Sequence, residues 1–163
     1  MNWMQTGHKQ RRYDLHISTC KKYFRKSTDR LHERLKIEAR CLEVVKKLNL
    51  SKIQRLIDFE HDANGKSCLI TEYCGINLRR GLLPSDWRDQ LAVINDGLDE
   101  LKKVKVFHND VQTRNIFVLD KQLTLIDFDL GTLGKPDRRA KERPGFNTVD
   151  FVIDKITNRW KVN

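Results

Sequence analysis

Apolar residues recur along this chain with two different spacings, and the spacing changes several times. In "YDLHISTCKKYF", residues 13–24, β-branched and aromatic side chains alternate roughly with polar ones, which predicts a strand. Ser27 or Thr28 then caps a helix over "DRLHERLKIEARCLEVVKKLNL", whose buried stripe is Leu31, Leu35, Leu42 and Val45. "IQRLIDFEHDANGKSCLITEY" reads as two strands joined at Asn64-Gly65, a strong hairpin signal. "CGINLRRGLLP" reads as a loop, and Ser85 is expected to cap a long helix with Leu91, Ile94, Leu98 and Leu101 on its inner face. "VKVFHND" is a short extended piece, and "IFVLDKQLTLIDFD" a second hairpin turning at Asp120 to Gln122. The polar stretch "GTLGKPDRRAKERPGF" reads as a loop, and Val149, Val152, Ile156 and Trp160 mark a closing helix. The order strand, helix, hairpin, helix, hairpin, loop, helix is that of an α+β fold. It has no strand–helix–strand alternation, which excludes a doubly wound sheet.

One residue breaks the first helical stripe. Glu38 lies three positions after Leu35 and four before Leu42, on the apolar face. A buried carboxylate is costly unless it meets a cation or hydrogen-bond donors. Glu33 and Glu43 sit among basic residues and read as ordinary surface acids.

With 163 residues, 39% apolar and 33% charged, the chain suits one domain with a modest core. Its apolar runs are too short to span a bilayer, and "MNWMQTGHKQRRYD" lacks the apolar segment of a secretory signal. Cys20, Cys41, Cys68 and Cys74 show no C-x-x-C spacing, so neither a zinc site nor a disulfide framework is expected. A reducing interior, the cytoplasm or the nucleus, is the expected location. The net charge of +10 points to nucleic acid, an acidic protein or nucleotide phosphates as partner. "HKQRR", "KKYFRK" and "RRAKER" carry no base-stacking aromatics among them, so solvation or a general anionic partner outweighs specific nucleic-acid readout.

The chemistry concentrates in "HNDVQTRNIFVLDKQLTLIDFD", residues 108–129. In "TLIDFD", Leu125 and Asp127 share one face of a strand, and an acid there is either exposed at the strand end or held by a cation. Asn115 stands just before the opposite strand, so the turn brings the two toward the same end. An amide oxygen beside a carboxylate suits Mg2+, which takes hard oxygen ligands and keeps some waters. Asp110, on a tight loop, would stand near that ion and be free to accept a proton. These are the parts that phosphoryl transfer needs.

"HNDVQTRN" resembles the kinase catalytic loop H-R-D-x-x-x-x-N, and "DFD" resembles the D-F-G metal motif at the expected distance after it. The resemblance extends from about residue 15 to the end. It implies a bilobal, protein kinase-like domain over 1–163, with a reduced N-lobe (1–73) and a truncated C-lobe (74–163). It also implies ATP and Mg2+ as cofactors, with Asn115 and Asp127 as metal ligands, and Asp110 as the residue that orients the acceptor. Glu38 becomes the helix partner of the ATP lysine, which is Lys21 or Lys22. Lys22 is preferred, since it puts Cys20 on the same face as roof of the adenine pocket. Thr71 is similar to a small gatekeeper, and the backbone of Glu72 and Cys74 would meet the adenine edge. His108 would pack under the loop, Phe128 would pack between the lobes, and Asp150 would anchor the loop backbone. Arg114 stands as in the "A-A-R-N" of tyrosine kinases, where it could meet substrate or the γ-phosphate.

The sequence departs from the family pattern in several places. No G-x-G-x-x-G precedes the lysine strand, and Lys9, Arg11 and Arg12 are the basic side chains available to replace its amides. Asn109 replaces the Arg of H-R-D, which argues against control by a phosphorylated activation loop, and no A-P-E follows "DFD". Asp129 replaces glycine, and a hydrogen bond to backbone is favoured there over a role at the metal. Small atypical kinases of the RIO type, and antibiotic phosphotransferases, lack similar pieces. The resemblance therefore implies a minimal protein kinase acting on a Ser/Thr or Tyr hydroxyl of a protein substrate. The alternatives are a pseudokinase or nucleotide-binding adaptor, a small-molecule kinase, and an RNA-associated factor.

Overall fold

A computed structural model describes residues 4–6, 11–15, 19–24, 29–61, 67–142 and 144–159. A five-stranded antiparallel sheet has the order β1-β2-β3-β5-β4. Its strands are β1 (Met4–Thr6), β2 (Arg11–Leu15), β3 (Thr19–Phe24), β4 (Leu56–His61) and β5 (Ser67–Glu72). Helix α1 (Asp29–Lys47) lies between β3 and β4 in sequence and packs on this sheet. The rest is built on α2 (Trp87–Lys103) and a three-stranded sheet of β6 (Ile76–Asn77), β8 (Ile116–Leu119) and β9 (Gln122–Leu125). A small ribbon pairs β7 (Val106–Phe107) with β10 (Thr132–Leu133), and α3 (Arg138–Glu142) and α4 (Asp150–Arg159) follow. The architecture is α+β.

The two expected helical stripes are buried except at Leu31, which is half-buried. On α1, Leu35, Leu42 and Val45 are at most 1% exposed, and Ala39 and Cys41 extend that face. They form one apolar cluster with Ile53, Leu56, Leu69, Leu101, Val106 and Phe128. On α2, Leu91, Ile94 and Leu98 join Val111, Ile116, Leu123, Leu125, Val149, Val152 and Ile156 in a second cluster. Backbone joins the clusters. Ile53 forms a parallel bridge with Leu125, Gln54 N donates to Leu125 O (2.9 Å), and Leu125 N donates to Lys52 O (2.9 Å). Among the described residues no helix is long and apolar enough to cross a membrane.

Several sequence expectations change. The single strand over 13–24 is two strands of a hairpin, with Leu15 opposite Cys20. No Gly, Pro, Asn or Asp marks that reversal, so the alternating pattern runs through it. Helix α1 stops at Lys47 rather than Leu50, because Asn49 takes a left-handed φ of 50° and Leu50 N closes back on Val45 O. Asp86, not Ser85, is the N-cap residue of α2, and it makes no side-chain cap bond; Ser85 lies in the preceding turn. The loop after Cys74 contains β6, and the polar stretch 131–146 contains β10 and α3. Gly75, at φ 88°, permits β6 to reach β8, since a Cβ there would lie 2.0 Å from Val118 O. In the β8–β9 turn, Asp120 (φ 49°) and Lys121 (φ 63°) both take positive φ, the signature of a type I′ turn. Ser27, Thr28, Asn64, Gly65 and Trp160 lie outside the described residues.

Candidate active site

A cavity of about 180 Å3 opens between the five-stranded sheet and the β8–β9 hairpin. Cys20, Lys22, Leu69 and Thr71 line it from β3 and β5, Glu72 to Gly75 from the connecting segment, and Phe117, Ile126 and Asp127 from the other side. Glu38 and Gln54 complete the wall.

The pleat of β3 sends alternate side chains to opposite faces, and it is Lys22 that lines the cavity, 5% exposed. The side chain of Lys21 lies outside the described residues. Lys22 Nζ donates to Glu38 Oε2 (2.7 Å), Glu38 Oε1 (2.9 Å) and Asp127 Oδ1 (2.7 Å). The odd acid of the α1 stripe, 1% exposed, thus meets a cation. Burial nevertheless pushes the Glu38 carboxyl up to about 7, against the pull of Lys22 and with a push from the negative charge of Asp127.

Asp127 reaches this cluster by an irregular backbone. Strand β9 ends at Leu125, and Asp127 takes φ 71°, so it does not share a strand face with Leu125 as the alternation suggested. A 3-10 turn over Phe128–Leu130 follows and buries Phe128 completely. Asp129 sits in that turn and is absent from the positive-φ residues, so the position needs no glycine. Its carboxylate contacts the guanidinium of Arg34 on α1, a partner the sequence did not point to.

The catalytic-loop candidates lie just below the cavity lining. Ile126 N donates to Asn115 O (2.9 Å), tying Asn115 to the residue before Asp127. Asp110 is 8% exposed and is clasped rather than free. Arg114 donates to both its oxygens (3.0 and 2.9 Å), Gln112 Nε2 to Oδ1 (2.5 Å) and Asn115 Nδ2 to Oδ2 (2.8 Å). Arg114, the candidate for contact with substrate or the γ-phosphate, covers this acid. Its side chain is still 55% exposed.

His108 is fully buried, with its ring 4.4 Å from that of Phe128. The Asp110 N–H can only donate, so Nδ1 is the acceptor (3.3 Å) and Nε2–H donates to Ile126 O (3.0 Å). Burial holds the imidazole below its ordinary pKa, in agreement with this neutral form. The loop backbone is anchored by Asn147, not by Asp150. Asn109 N donates to Asn147 Oδ1 (2.8 Å), and Asn147 Nδ2 donates to Asn109 Oδ1 (3.1 Å). Asp150 is exposed and accepts from Thr148 Oγ1 (2.8 Å). Asn109, at φ 64°, also donates to Leu130 O and Thr132 Oγ1 (each 2.9 Å), so an amide hub stands where the family has arginine.

On the connecting segment, Thr71 is 2% exposed and accepts from Gln54 Nε2 (2.9 Å), which also donates to Glu72 O (3.3 Å). Gln54 was not foreseen, since it reads as an ordinary polar residue after a helix. Burial pushes the Cys74 thiol up to about 12, so it lines the cavity as an inert apolar group. Lys9 and the side chains of Arg11 and Arg12 lie outside the described residues.

The donor set fits a magnesium–triphosphate. Asn115 spends its Nδ2 on Asp110 O and Oδ2, and no bond to its Oδ1 is formed among the described residues. That leaves a hard oxygen on Asn115, whose backbone carbonyl accepts from Ile126 N, the residue before Asp127. Among the described residues no group of three or more His, Cys, Asp or Glu could hold a metal alone. Mg2+ is commonly held by one or two side chains together with phosphate and water.

The sequence profile of the protein kinase domain family matches residues 9–152. No curated protein matches the chain.

Proposed function

The chain belongs to the protein kinase domain family, and from that premise we propose that it transfers the γ-phosphate of ATP to a protein Ser/Thr hydroxyl. What supports this most is the placement of Lys22 Nζ, within 2.7–2.9 Å of Glu38 and Asp127 in the wall of the cavity. A cation fixed between two acids is a preorganised phosphate-binding charge, and preorganisation of this kind supplies much of the catalysis in such reactions.

In this reading the adenine lies among Cys20, Leu69, Phe117 and Ile126, with the backbone of Glu72 and Cys74 at its edge. Thr71 sets the depth of that pocket, and Lys22, oriented by Glu38, meets the phosphates. Mg2+, held by Asp127 and Asn115 Oδ1, supplies neutralisation of the phosphate charge. Asp110 orients the acceptor hydroxyl and takes its proton. The exposed Arg114 swings off Asp110 as the acceptor enters. Preference for Ser/Thr over Tyr or a small molecule rests on kinship alone.

A second reading, a nucleotide-binding adaptor without transfer, is favoured by the clasp on Asp110, where Arg114 donates to both carboxylate oxygens. One comparison separates the two. The parent is incubated with Mg2+ and radiolabelled ATP against protein and small-molecule acceptors, beside Asp110→Asn. Transfer by the parent and none by the variant, with equal nucleotide affinity, upholds the kinase reading. Equal transfer by both removes Asp110 from its role. Nucleotide binding without transfer by either establishes the adaptor.

A further inference from the structure

The face that α1 turns toward the metal motif carries a second ionic contact beside that of Glu38. Arg34, Glu38 and Cys41 recur at helical spacing, so they stack along one side of the helix. Each meets a different part of the segment that delivers Asp127. Glu38 reaches it through Lys22, and the Arg34 guanidinium contacts the Asp129 carboxylate. Cys41 lies so near Gly131 that a Cβ there would stand 3.2 Å from its sulfur. Between these points Phe128 is 0% exposed within the α1 cluster.

Asp129 occupies the position where the family motif has glycine, and its side chain is only 5% exposed against 33% for Arg34. A carboxylate that deep is stable only with a partner, so α1 and the turn over Phe128–Leu130 stabilise one another. We propose that Arg34 and Asp129 are a positioning pair: their contact seats α1 on the metal-motif turn and holds Glu38, Lys22 and Asp127 in register before nucleotide arrives. The pair touches neither nucleotide nor acceptor. It acts through the helix, and it rests on the phosphotransfer reading above.

The test uses the full chain with Arg34→Met, the conservative Arg34→Lys, and the double variant Arg34→Met/Asp129→Asn, which removes both charges of the pair. Amide hydrogen exchange over α1 is measured without nucleotide, and KM for ATP and kcat are measured with it. Arg34→Met is expected to speed exchange in α1 and to raise KM for ATP about tenfold, with a smaller change in kcat. Arg34→Lys should recover most of both effects, and the double variant should match Arg34→Met rather than add to it. Parent-like exchange and parent-like KM in Arg34→Met and in the double variant overturn the proposal. A parent that transfers no phosphate sinks the functional reading alone; exchange in α1 then upholds or overturns the pair by itself.

Discussion

Glu38→Gln separates what the buried charges do for the fold from what they do for a ligand. Lys22 faces two carboxylates, Glu38 at 2.7 and 2.9 Å and Asp127 at 2.7 Å, so with both acids ionised this triad carries one negative charge in excess. Burial raises Glu38 from its ordinary 4.5 to about 7. A raised carboxyl binds more protons in the folded state than in the unfolded one between those two values. Its contribution is therefore fully present below about pH 4.5 and is lost as pH climbs through about 7. At roughly 1.4 kcal/mol per pH unit the loss is about 3 kcal/mol. Gln removes that titration and leaves Lys22 its contact with Asp127. In EDTA and without ATP, Glu38→Gln should match the parent near pH 5. By pH 8 it should be more stable by about 3 kcal/mol, a Tm gain of roughly 6–12 °C for a chain of this size. Nucleotide affinity should move the other way, because Lys22 has lost its orienting partner. Thermal melts across the pH range, with and without Mg2+ and ATP, measure both. A variant less stable than the parent at pH 8 would show that the pair outweighs the cost of its burial, and the reasoning fails.

Asp127→Asn should lower kcat by about a hundredfold or more while Glu38 still holds Lys22; single-turnover transfer measures it. Asn147→Ala strands the buried N–H of Asn109 and should cost about 1–3 kcal/mol by denaturant unfolding, whereas the exposed Asp150→Ala should leave stability unchanged. Gly131→Ala places a Cβ 2.8 Å from Phe128 O and 3.2 Å from Cys41 Sγ, and should destabilise by about 1–3 kcal/mol. Adding Cys41→Ala should recover only part of that loss, since the carbonyl remains.

What could be read from the chain follows from where a residue violates its local rule. Glu38 is conspicuous because an acid on an apolar stripe demands a cation, and Lys22 supplies it. Asp129 is conspicuous as an acid in the glycine position of the metal motif, but Arg34 reads as one more charged helix residue, and only three-dimensional proximity makes them a pair. Asp150 is the anchor that resemblance of its helix implies; Asn147, three residues earlier, holds the loop instead, because one amide can both donate to and accept from Asn109. Between β2 and β3 the sequence offers only Ser18 as a turn former, with no Gly, Pro, Asn or Asp, so the alternating pattern runs on through the reversal. Asp110 was placed correctly in the loop, but its clasp by Arg114 depends on side-chain rotamers that spacing does not determine.

The parallel bridge between Ile53 and Leu125 ties the segment that follows α1 to the last residue of β9, two positions before Asp127. Lys52 and Gln54 bond Leu125 from both sides of that bridge, only two residues before the acid. The same segment runs on into β4, and Glu72 N donates to Arg55 O (3.1 Å), so residues 52–55 tie the sheet that bears Lys22 to the strand that leads to Asp127. A scan of the chain for loss of activity should pick out residues 52–54 as if they belonged to the reaction centre, although of the three only Gln54 lines the cavity.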